Sequence, residues 1–120
     1  MTRARGVIAL RGKALPETDL SLGSAYLVLG ECLGRTGRAR EGETVLREAL
    51  RLRLAVLPSG HWGVAHVRSV LGEVLVRAGK LEEGRALLDQ GYRGMEAAVG
   101  PDNPRSRQDK ARIERWGRTR

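Results

Sequence analysis

The sequence has no phenylalanine, and only Trp62, Trp116, Tyr26 and Tyr92 are aromatic. A core built from it must rest on leucine, valine and alanine, which suits helices packed on helices. Cys32 is the only cysteine, so no intrachain disulfide can form and a reducing, cytoplasmic setting is expected. Between Leu29 and Leu33 on a helix, Cys32 reads as a core residue. His61 and His66 stand five apart with no Cys or acid cluster beside them, so no metal site is expected. No stretch approaches the roughly 20 apolar residues of a membrane span. The run from Gly6 to Leu10 is too short for a secretory core. "GRTG" at Gly34 lacks the G-x-x-x-x-G-K-[ST] pattern of a phosphate loop and reads as a helix end. Ser59 lies near His61 but no orienting acid is evident, so no catalytic residue and no cofactor are expected.

What is abundant is arginine, 19 residues against 3 lysines, within a net charge of +8. The excess sits at the two ends. Residues 1–15 carry Arg3, Arg5, Arg11 and Lys13 with no acid. Residues 101–120 carry seven bases and three acids, and residues 16–100 balance eleven bases with eleven acids. This reads as solvated tails on an arginine-biased chain. A surface for nucleic acid or another acidic partner is the alternative.

The chain also repeats itself. "LGECLGRTGRAREGE" from Leu29 returns as "LGEVLVRAGKLEEGR" from Leu71. At an offset of 42 residues, twelve pairs are identical without a gap, among them Leu29/Leu71, Gly30/Gly72, Glu31/Glu73, Gly37/Gly79, Gly42/Gly84 and Leu46/Leu88. A period in this range signals a solenoid. Residues 1–15 continue the register backwards, as the tail of an earlier unit. "GPDNP" at Gly100 falls where "PSGHW" falls at Pro58. The expected division is therefore 1–15, a unit over 16–58, a unit over 59–100, and a linker, capping helix and basic tail over 101–120.

Each unit reads as two helices. Val67, Val70, Leu71, Val74, Leu75 and Ala78 recur at three- and four-residue spacing, the mark of an amphipathic helix. Gly79 stands where a left-handed residue ends it. Leu81, Gly84, Leu87, Leu88, Gly91, Tyr92, Met95 and Val99 share one face of the next helix. Gly100 and Pro101 stop that helix. Asn103 and Pro104 then suit the cap and first residue of a last one. A mid-helix glycine costs about 1 kcal/mol against alanine. Its recurrence at Gly30/Gly72 and Gly42/Gly84 predicts close backbone approach between paired helices.

These residues resemble the tetratricopeptide repeat. That pattern reads Leu29, Gly30, Leu33, Gly37, Gly42, Leu46, Ala49 in one unit and Leu71, Gly72, Leu75, Gly79, Gly84, Leu88, Gly91 in the next. The period and linkers are similar to the long variant of kinesin light chains and of bacterial multi-repeat arrays, some of which follow a serine/threonine kinase domain. Gly42, Gly84 and Gly91 stand where the family usually has Ala, and Asn103 replaces the usual linker His. The resemblance implies an all-α solenoid of antiparallel helix pairs, and a non-catalytic scaffold that binds a protein or peptide in a concave groove. The family's groove positions fall on Ser24, Leu27, Glu31 and Arg35, and on His66, Ser69, Glu73, Val76 and Arg77. Glu31/Arg35 and Glu73/Arg77 can also satisfy themselves along their helices. Val28 and Val70 occupy the places where a carboxylate clamp would need Asn, so no such clamp is expected. The half unit at 1–15, with Val7, Ile8 and Leu10, implies self-association or upstream repeats.

Overall fold

Among the described residues, apolar side chains at helical spacing fold into five α-helices. The computed structural model describes residues 20–117. The expected tail of an earlier unit, residues 1–15, lies outside the described residues. The helices are α1 (Leu20–Arg35), α2 (Ala39–Val56), α3 (Trp62–Arg77), α4 (Leu81–Val99) and α5 (Pro104–Arg112), the last continued by a π-helical turn at Ile113–Gly117. Among the described residues there is no strand.

The chain breaks between helices where left-handed backbone and capping residues dictate. Gly37 and Gly79 take φ of 83° and 89°, which a Cβ would oppose. The turns close with Arg38 N donating to Leu33 O at 2.8 Å and Lys80 N to Leu75 O at 2.9 Å. The two linkers cap their following helices in register. His61 Nδ1 accepts from Gly63 N at 2.8 Å, and Asn103 Oδ1 from Arg105 N at 2.9 Å.

α1 pairs with α2 and α3 with α4, and α3 also packs on α2 and α1. Glycine contacts show the pairing to be antiparallel. A Cβ on Gly72 would meet Leu88 N at 2.7 Å and Gly84 O at 2.8 Å. One on Gly91 would meet Ser69 N at 2.7 Å, so the contacts run up one helix as they run down the other. In the first hairpin a Cβ on Gly42 would meet Gly30 O at 2.8 Å. The expected close approach at both glycine pairs is thus present. Val45, Leu46, Ala49, Val67, Val70, Leu71, Val74 and Leu75 join one core that crosses from hairpin to hairpin. Fully buried Leu46, Leu71, Leu75 and Leu88 each contribute about 1.5–3 kcal/mol. Arg53 Nη1 donates to Gly63 O at 2.9 Å, and Arg47 meets Glu83 at 2.7 Å, so polar contacts also join the hairpins.

Two expectations change at α1. Cys32 is exposed, not core. It holds the register of Val74, which packs on the first hairpin beside Gly34, whereas no helix precedes α1 among the described residues. For the same reason Val28 is 61% exposed while its counterpart Val70 is 2% exposed.

Substitution of Gly72 by Ala gains about 1 kcal/mol of helix propensity. The new methyl meets backbone atoms that cannot rotate away, and such overpacking costs about 1–3 kcal/mol or more. Gly72→Ala should therefore lower the midpoint of thermal unfolding. Gly60→Ala, where a Cβ meets nothing within 4 Å, should leave it unchanged or slightly raised.

Candidate protein-binding groove

The first helices of the repeat, α1 and α3, lie side by side, and α5 packs next to α3 as the first helix of a third unit would. A pocket of about 260 Å³ opens across them, lined by Arg35 of α1, Glu73 and Arg77 of α3, and Gln108, Ala111, Arg112, Arg115 and Trp116 of α5 and its π-helical turn. Both arginine–glutamate pairs foreseen along the helices form. Arg35 Nη2 reaches Glu31 Oε2 at 3.0 Å, and Arg77 reaches Glu73 Oε2 at 3.1 Å. The carbonyl ends of α1 and α3 favour cations here as well.

The nine expected groove residues divide. Arg35, Glu73 and Arg77 line the pocket. Glu31 stands half-buried behind Arg35, and Ser24 is exposed and accepts from Arg53 Nη2 at 3.2 Å. His66 is half-buried further along the same face. Leu27 and Val76 instead belong to the packing, each 7% exposed. Leu27 joins the core, and Val76 Cγ2 would be 2.7 Å from a Cβ on Gly84. Ser69 is fully buried, because α5 lies on it.

That covering helix supplies the residues that sequence reasoning missed. Arg112 Nε donates to Glu73 Oε1 at 2.9 Å, and its Nη1 donates to Ser69 Oγ and Asp109 Oδ1, each at 3.0 Å. Ser106 Oγ donates to Gly100 O at 2.6 Å. Ser106 and Asp109 are 0% exposed and Arg112 is 7% exposed. In the 42-residue register these three positions correspond to Val64, Val67 and Val70 of α3, which pack with apolar contacts. The last helix therefore docks through hydrogen bonds and charge where its predecessor docks through valines. The signal was present in the sequence as three polar residues at apolar register positions. Trp116 sits beside this network, with Arg77 Cζ 4.3 Å and Arg115 Cζ 5.8 Å from its ring centroid.

Burial raises the Asp109 carboxyl to about 6, against the opposing pull of Arg112 and Ser69. Its Oδ2 has no hydrogen-bond partner. Burial, reinforced by Arg112, Arg53 and Arg105, lowers His66 to about 4. Among the described residues there is no group of three His, Cys, Asp or Glu side chains that could hold a metal ion. No described helix is long and apolar enough to cross a membrane.

Two-helix units stacked in register define a helical-repeat protein. A family model described as the tetratricopeptide repeat matches residues 23–48 and 65–90, and each match begins in the first helix of a hairpin and ends in the second. The chain is a tetratricopeptide repeat protein, of a family whose repeats generally mediate protein–protein interactions. No curated protein matches it.

The two shifted groups oppose one another. Between about 4 and about 6 the folded state holds a proton on Asp109 that the unfolded chain lacks. Over nearly the same range it lacks a proton on His66 that the unfolded chain holds. Asp109 thus contributes stability that is lost as pH rises through about 6, and His66 contributes stability that is lost as pH falls through 6.5 towards about 4. Relative to the parent, Asp109→Asn should lose stability on acidification from pH ~6.5 to ~4.5, on the order of 1 kcal/mol per pH unit. His66→Gln should show the reverse. Urea unfolding at the two pH values measures both.

Proposed function

We propose that the chain is a non-catalytic scaffold that holds a segment of a partner protein across α1, α3 and α5. One observation supports this above the others: side chains from three successive first helices line a single pocket. Stacked helix pairs present such a face as a continuous surface, and an extended segment laid on it contacts each unit in turn. Val28 and Val70 stand where a carboxylate clamp would require asparagine, so recognition runs through the segment's side chains rather than its C-terminus. The 42-residue period favours the long kinesin-light-chain-like variant. An exposed lone thiol at Cys32 suits a reducing, cytoplasmic compartment.

Selection of random displayed peptides on the full chain, followed by hydrogen exchange of the complex, tests this reading. Slowed exchange in α1, α3 and α5 is expected. Protection confined to α2 and α4, or no selected peptide, would overturn it.

A further inference from the structure

We infer that the pocket takes acidic side chains, so that the partner segment carries clustered Asp or Glu. This rests on the groove reading above and names the chemistry of its ligand. The lining holds four arginines, Arg35, Arg77, Arg112 and Arg115, against one carboxylate, Glu73. Glu73 is already divided, its Oε2 on Arg77 and its Oε1 on Arg112. Among the described residues Arg115 forms no ion pair, and its guanidinium lies only against the Trp116 ring. Arg35 is 59% exposed, and its pairing with Glu31 is the kind of solvent-exposed ion pair that holds weakly and yields readily to a ligand carboxylate.

The arginines are also held in place. Trp116 has Arg77 4.3 Å from its ring centroid and Arg115 5.8 Å away, which fixes the spread of the two guanidiniums. Planar guanidiniums held in this way can receive carboxylates in two-pronged hydrogen bonds. A nucleic-acid strand fits less well. Its unbroken phosphates would have to pass Glu31 and Glu73, and both arginines already occupy Trp116, leaving it poorly placed to stack a base. The space of about 260 Å³ suits one or two side chains.

The test uses the full chain with fluorescein-labelled oligoglutamate, its oligoglutamine counterpart, and a single-stranded oligothymidylate of similar length. At low salt, oligoglutamate should bind at least about tenfold more tightly than oligoglutamine, and added salt should weaken it. Arg35→Gln and Arg115→Gln should each weaken it several-fold, and Arg35→Glu with Arg115→Glu should abolish it. All are exposed positions where folding is checked by circular dichroism. Arg93→Gln on α4, an exposed residue paired with Asp89, should change nothing. Equal binding of the two peptides, affinity that survives the double reversal, or tighter binding of oligothymidylate through the same arginines would overturn the inference. Neutral or basic peptides that protect α1 and α3 in the selection experiment would overturn it too, while leaving the groove reading intact. Protection only of α2 and α4 would remove both.

Discussion

The arrangement depends on how closely two helix backbones meet within each hairpin. At Gly72 and Gly84 there is room for hydrogen and not for a methyl group, and the same holds where Gly42 faces Gly30. This contact sets the spacing of α1 on α2 and of α3 on α4. The leucines that follow it, Leu46 and Leu88, then fall into fully enclosed positions. The intrinsic penalty of four mid-helix glycines is small beside the burial that their contacts permit. Once the hairpins are set, the first helices fall side by side, and the arginines at their carbonyl ends converge on one rim.

α5 joins this frame by a different kind of contact. On its buried face Ser106 donates to the Gly100 carbonyl, Arg112 pairs with Asp109 and with Ser69 and Glu73 of α3, and one carboxylate oxygen of Asp109 is orphaned. Buried polar networks are weaker ground for stability than matched apolar packing, and they demand one geometry. The network therefore fixes where α5 sits. In doing so it determines where Arg115 and Trp116 stand relative to Arg35 and Arg77, so the pocket and the seat of the last helix share Glu73 and Arg112.

Much of this was legible in the sequence. The offset identities located both hairpins, and helix ends fell within a residue or two of Gly37, Gly79 and Asn103. The paired glycines announced their own contact because an otherwise unfavourable residue recurred at one register position. The pocket was only partly legible. Of the family positions, Arg35, Glu73 and Arg77 fall at the pocket, and Arg35 and Arg77 do so as the last residues of their helices, where a charge stays near the surface. Leu27 and Val76 turned into the packing, Val76 against Gly84 of its own hairpin, and Ser69 was covered by α5, which a pattern describing one unit at a time does not include. Cys32 was misread for the same reason. Its helix places it in a packed position, but only a preceding unit would pack it.

The two faces that terminate the described stack differ in kind. On α1 the outward side chains include Leu20 and Val28, both exposed. On α5 the exposed side chains include Arg107 and Lys110. Laying one of these two described faces on the other would press aliphatic carbon against ammonium and guanidinium groups, stripping their water with nothing to replace it. The two described faces are thus ill-matched to stack on one another.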